Sequence, residues 1–230
     1  MQQIQYLSKN VFQLKCIGHN SSKFDLPALQ QEIMEIVDPK EIKAIRKGAS
    51  FFSLSIGQIN FMDSMHFVPM SLANFCTTFD VEQQKGVWPY EHFKSEAEIF
   101  NTKEFPPITA FHSSLCRKNE TEKFAAEFQE LLSKFSSESE MKMFFGIKSF
   151  IGNDFYVSPK DYFVAKNKFD SRMKSGEWKS MFDMLVDYNL QDCIILHKAM
   201  SNFSETVSIA FQTEVLAKLS LPGLSEGMFS

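Results

Sequence analysis

Three stretches hold residues whose types and spacing could do chemistry. Tyr188 and Asp192 sit four apart in YNLQD, so a phenol and a carboxylate face the same way on a helix. Their neighbours on that stripe, Met181, Leu185, Leu196 and Ala199, are apolar. A carboxylate on such a face loses solvation unless something pairs with it. A metal ion held beside the water it activates meets that need. So does an Arg, Lys or backbone partner in an ordinary core. Asp25, at the end of HNSSKFD, has two similar readings. It is either a helix N-cap, worth ~1 kcal/mol, or a metal ligand after a strand, preceded by Asn20 and Phe24. The pair Asp63-Ser64 also follows a strand, where both types suit a turn. The four cysteines are scattered and the five histidines show no ligand spacing, which excludes a zinc ribbon or a redox Cys-x-x-Cys.

These residues need elements to carry them. Residues 11–18 alternate and then turn apolar, which predicts a strand ending at Gly18. In LPALQQEIMEIV, Leu26, Leu29, Ile33, Ile36 and Val37 predict one buried helix face, with Asp25 as N-cap and Pro27 in the first turn. Residues 42–47 and 50–62 read as two strands joined at Lys47-Gly48, the second with a possible bulge at Gly57. A short helix is expected over 70–79 and an irregular stretch over 80–117. Polar helices are expected over 120–150, broken at 136–140. Ser158-Pro159 opens another helix to about Met173, and a long one runs from near Glu177 to about Phe203. The order β, α, hairpin, then mostly α implies an α/β or α+β chain.

Composition limits the classes. With 230 residues, 44% hydrophobic and 23% charged, the chain is globular and large enough for a real core. A net charge of −4 excludes holding nucleic acid by bulk charge, though not by a local groove. Scattered cysteines point to an intracellular, reducing compartment. No apolar h-region opens the sequence and no run nears the ~18 apolar residues of a membrane span, so no membrane partner is expected. The 25 phenylalanines, against 2 Trp and 5 Tyr, have no explanation at this level beyond core packing or bias.

Taken in order, the segments resemble the 3′–5′ exonuclease domain of family B DNA polymerases of the protein-primed branch, found in phages, linear plasmids and Maverick-type transposons. The second exonuclease motif, Asn-x2–3-Phe/Tyr-Asp, is matched by Asn20, Phe24 and Asp25. The third, Tyr-x3-Asp, is matched by Tyr188 and Asp192. Between them, Ser64, Met65 and Val68 match a Ser/Thr-Leu-x2-hydrophobic motif, and Lys85 with Trp88 matches Lys-x2-hydrophobic. SLANFCTTF (71–79), FPPITAFHSSL (105–115) and LSLPGLSEGMF (219–229) are also similar to that branch. The resemblance implies Asp25 and Asp192 as ligands of Mg²⁺ or Mn²⁺, Tyr188 orienting the attacking water, and Lys85 stabilising developing charge. It implies that Asn20, Phe24, Ser64 and Met65 hold a single-stranded DNA 3′ end, with Phe24 stacked on a base.

The departures shape the expectation. The first exonuclease motif, Asp-x-Glu, is missing: residues 1–18 contain no Asp or Glu. The only Asp-x-Glu, Asp80-Val-Glu82, follows the second motif and reads as a surface turn. A two-ion site left with two carboxylates should hydrolyse slower by orders of magnitude. No Tyr-x-Asp-x-Asp and no Ser-Leu-Tyr-Pro segment of a polymerase palm is present. The expected fold is therefore a truncated RNase H-like 3′–5′ exonuclease α/β fold. Residues 1–204 would form an exonuclease-like domain lacking its first strands, with 118–155 as a helical insertion on its surface. Residues 205–230 would begin the connection to a palm. The expected function is a fragment of a DNA-directed DNA polymerase without activity of its own, partnered by DNA and the missing polymerase portion. Two alternatives are a non-catalytic single-strand-binding module and a folded interaction protein with Tyr188–Asp192 as a core pair.

Overall fold

The computed structural model describes residues 14–82, 86–114, 121–150 and 152–228. Its contacts divide into two compact units, Met1–Gln84 with Ile194–Ser230, and Lys85–Cys193.

The first unit is built on a mixed four-stranded sheet of order β1-β4-β3-β2, which makes this an α/β protein. Strand β1 (Leu14–Gly18) runs parallel to β4 (Ile59–Asp63). Strands β2 (Ile42–Lys47) and β3 (Ser50–Ile56) are antiparallel, as are β3 and β4. The hairpin at Lys47-Gly48 forms as its sequence implies. The single long strand expected over 50–62 does not. Gly57, at φ 57°, leads a two-residue turn that splits the run into β3 and β4. A tight hairpin needs this left-handed backbone, which glycine adopts without strain. The register irregularity lies instead between Ile45 and Arg46.

Helix α1 (Asp25–Ile36) packs Leu26 on Phe51, Leu54 and Ile56, with Ile33 and Val37 half-buried beside them. Leu29 and Ile36, expected on the same face, are 49% and 47% exposed. At ~100° per residue they lie roughly 60–80° to one side of the Leu26–Ile33–Val37 line. One sheet face accommodates only that narrow line. A second core joins Met62, Phe67 and helix α2 (Leu72–Thr78) to Ile195, Ala199 and Phe203 and to Leu224 of the last helix (α8, Leu221–Met228).

The second unit is helical. Residues 80–117, expected to be irregular, include the short helix α3 (Glu96–Asn101), whose Ser95 hydroxyl accepts the Glu98 amide at 3.3 Å. Helices α4 (Thr121–Leu132), α5 (Glu138–Phe145) and α6 (Pro159–Lys174) follow the expected pattern. The helices inside the 118–155 stretch, expected as a surface insertion, carry core residues of this unit. Phe128, Met141 and Phe145 are wholly buried and Phe124 and Leu131 nearly so, at the centre of this unit. The phenylalanine excess finds its use here. Phe105, Phe111, Phe155 and Phe169 complete the core, in ring contacts of 4–7 Å that aromatic pairs favour.

The long helix, α7, spans Met181–Phe211 and crosses the boundary between units. It starts later than its sequence implied because the Glu177 and Trp178 amides still bond to Arg172 at the end of α6. The Asp183 carboxylate then accepts the Lys179 and Ser180 amides, capping the new helix. Among the described residues, no helix is long and apolar enough to cross a membrane.

Candidate functional site

The expected site residues fall into two groups, one in each unit. In the first, parallel β1 and β4 end side by side, with Gly18 opposite Asp63. The loop after β1 and the segment after β4 therefore leave the same edge of the sheet. Asp63 is 2% exposed and joins them. Its Oδ1 accepts the amides of Asn20 at 2.8 Å and Met65 at 2.9 Å. Its Oδ2 accepts the Ser22 amide at 2.9 Å and the Ser22 hydroxyl at 2.5 Å. Four donors on one carboxylate are how a buried charge keeps its solvation. Ser64, wholly buried, lies with Oγ 2.9 Å from His19 Nδ1.

Local sequence explains the loop's shape. Asn20 takes φ 59°, a left-handed conformation that Asn tolerates better than most residues. Gly18 packs against Ser21 so closely that a Cβ at position 18 would overlap Ser21 Cβ and Oγ. Phe24 occupies the N-cap position of α1 without a side-chain cap bond and is 61% exposed. Asp25 is thus not the N-cap. It is the first residue of the helix, exposed, where a negative charge meets the positive end of the helix dipole.

The second group centres on α7. Tyr188 is 7% exposed, and its hydroxyl bonds to the Tyr90 hydroxyl and to the Asp192 carboxylate. Burial, then the Tyr90 bond and the Asp192 charge, push the Tyr188 phenol well above its ordinary value. The predicted stripe holds: Met181 and Ala199 are wholly buried, Leu196 buried and Leu185 half-buried. The chain at Gly86 passes so close that a Cβ there would sit 3.0 Å from Tyr188 Cδ2. Trp88 lies with its ring 6.3 Å from Tyr188, and Tyr90 meets the same ring edge-on at 6.1 Å. Lys85 falls outside the described residues.

The structure thus brings the His19–Asn20 loop, which leads to Phe24, together with Ser64 and Met65 in one unit, and Tyr188 and Asp192 together with the Trp88 segment in the other. Two residues without an expected role stand out. From sequence, Asp63 is marked only as a turn residue. Tyr90, two residues after Trp88, had no periodicity or motif to mark it. A two-ion site needs carboxylates converging on the metals. Among the described residues, no three His, Cys, Asp or Glu side chains come together as a metal-binding group. Of the two expected ligands, Asp25 belongs to the first unit and Asp192 to the second.

No family model, curated protein or solved structure matches this chain. Fold and site define an α/β protein in which two pairs of sequence-distant segments meet, one at a parallel strand end and one on a helix face.

Proposed function

We propose that the chain is a portion of a DNA-directed DNA polymerase of the protein-primed family B kind, acting in DNA replication. It carries part of a 3′–5′ exonuclease domain of RNase H-like fold. It holds a single-stranded 3′ end, with little or no hydrolysis and no nucleotide addition of its own. The remaining polymerase is its protein partner. One observation carries this reading: the four motifs that resemble that branch meet in space as two pairs. HNSSKFD is hydrogen-bonded to the Asp63–Met65 segment, and the Gly86–Tyr90 stretch lies against Tyr188. The first pair also leaves the carboxyl end of two parallel strands, where open α/β sheets place ligands by fold-level analogy.

Phe24 supplies the exposed ring for stacking, and Asn20, Ser64 and Met65, which Asp63 and His19 join to the same loop, are the other residues assigned to the strand. Mg²⁺ or Mn²⁺, if bound, would supply an activated water, and the resemblance assigns Asp25 and Asp192 as its carboxylate ligands. Tyr188 would orient that water, as the resemblance implies.

Anisotropy of a labelled single-stranded oligonucleotide tests the reading. Binding should weaken steeply with salt, and Phe24→Ala should cost about 1–3 kcal/mol. No binding at any salt would overturn it. Incubation of a 3′-labelled strand with either ion should leave it intact. Shortening that disappears in both Asp25→Ala and Asp192→Ala would overturn the inactive assignment.

The burial of Tyr188 between Tyr90 and Asp192 favours one second reading, a folded interaction protein with this trio as a core feature. Asp192→Ala would then lower the melting temperature equally with and without divalent ions. A metal-dependent rise in the wild type would exclude it.

A further inference from the structure

We propose that Asp63 is the positioning residue of the strand-holding element, tying the Asn20–Phe24 loop and the Ser64–Met65 segment into a single rigid part. The inference rests on the DNA-holding reading above for its functional consequence, though not for its structural one.

The geometry is specific. Both carboxylate oxygens are used, and each takes two donors. Oδ1 spans the two segments, holding Asn20 from one and Met65 from the other. Oδ2 serves Ser22 alone, through amide and hydroxyl. Three of the four donors are backbone amides, so the carboxylate fixes the course of the chain rather than a side-chain rotamer. The Ser22 carbonyl in turn accepts the Phe51 amide at 3.1 Å, which anchors the loop to β3. The Ser21 carbonyl accepts the Leu26 amide at 2.9 Å, which joins the loop to the first turn of α1. Phe24 lies between these two anchors, so its exposed ring is presented from a fixed backbone. Without Asp63, three amides at a 2% exposed position would have no acceptor in common. The loop would have to open to water to satisfy them.

The two substitutions at Asp63 differ in a defined way. Asp63→Ala releases all four donors. In Asp63→Asn the new amide can face Ser22, whose hydroxyl can turn round to accept from it. Asn20 and Met65 then keep the remaining carbonyl, and only the Ser22 amide is orphaned.

Amide hydrogen exchange of the full chain, read residue by residue, tests the clamp without DNA. In Asp63→Ala, the Asn20, Ser22 and Met65 amides should lose protection together, by more than about tenfold. In Asp63→Asn, Ser22 should lose it while Asn20 and Met65 retain it. Protection unchanged at all three in either variant would overturn the clamp. If Asp63→Ala does not fold, Asp63→Asn decides alone. The functional half is read by a double-mutant cycle with Phe24→Ala on oligonucleotide affinity. Phe24→Ala should weaken binding about 5- to 150-fold in the wild type. It should weaken it no more than about twofold beside Asp63→Ala, and by less than in the wild type beside Asp63→Asn, which frees only Ser22. An undiminished Phe24 effect there would overturn the positioning role while leaving the DNA reading standing. Absence of binding in the wild type would overturn the DNA reading and with it the functional half, with the exchange result still judging the clamp.

Discussion

Replacing Phe128 with alanine should strongly destabilise the helical unit. Phe128 is wholly buried, with its ring centroid 4.8 Å from Phe145, 4.3 Å from Phe150 and 4.9 Å from Phe155. Truncating a fully buried phenylalanine costs ~3–5 kcal/mol, the lost transfer energy plus the cavity left behind. Three ring contacts place this site toward the upper end, since each aromatic pair adds ~0.5–1.5 kcal/mol beyond area. Against a typical domain stability of ~5–15 kcal/mol, ~4 kcal/mol is a large fraction. For a domain of order 100 residues it lowers Tm by roughly 15–30 °C. Near-UV circular dichroism during a thermal melt reads the loss of aromatic packing directly. Met143, on the neighbouring helix α5 and 80% exposed, is the control, and Met143→Ala should stay within ~0.5 kcal/mol of the wild type. A Phe128→Ala chain melting within a few degrees of the wild type would refute the reasoning. Residues 121–150 would then be a detachable insertion, and the core would have to lie elsewhere.

Further outcomes follow from the other contacts. Gly18→Ala forces a methyl group into Ser21, so unit one should lose more than ~1 kcal/mol by urea melt, and the Asn20 and Ser22 amides should exchange faster. Tyr188→Phe removes one hydroxyl from between Tyr90 and Asp192 and should cost about 1–3 kcal/mol by the same melt. Glu91 accepts the Ser114 amide at 2.5 Å and lies 3.2 Å from His112 Nδ1, and the Ser114 bonds, then His112, hold its carboxyl below the ordinary glutamate range. A lowered folded value gives stability above the unfolded value that disappears as pH falls through the folded one. The Glu91→Gln chain should therefore show a flatter Tm-against-pH curve below about pH 4.5 than the wild type. Thiol labelling should modify exposed Cys193 well before Cys76, which is buried, and Cys16, whose thiol burial pushes up.

Much of the framework was legible because it rests on periodicity and punctuation. The stripe from Met181 to Ala199 repeats at helical spacing, and its buried members are those the spacing selects. Ser158-Pro159 and Lys47-Gly48 mark a helix start and a hairpin by local backbone preference. Gly57 shows the limit. A bulge and a tight turn both call for glycine, and only the pairing of β3 with β4 separates them. Leu29 and Ile36 belong to an apolar arc wider than the surface available to cover it. The core helices at 121–145 carried their own signal, since Phe124, Phe128 and Leu131 recur at helical spacing. Their overall polarity and their place outside the resembling segments obscured it. Asp63 was illegible for a different reason. Three of its four donors are backbone amides, which every residue but proline carries, so no side-chain pattern announces the bond network.

The interrupted course of the first unit has a consequence for the order in which the chain matures. Its sheet is encoded before residue 64, yet the helix that covers Met62, Phe67 and Phe75 comes from residues 195–203, and Leu224 comes later still. All of the second unit is synthesised in between. At ~5–20 residues per second, the apolar face of the sheet waits roughly 7–30 seconds on the ribosome for its cover. Throughout that interval Phe67 and Phe75 offer a sticky surface to anything nearby. The helical unit needs no later segment for its own core and can close first. Newly made chains should therefore bind general chaperones chiefly through residues 50–80, and release should follow emergence of the last turns of α7 rather than completion of the strands.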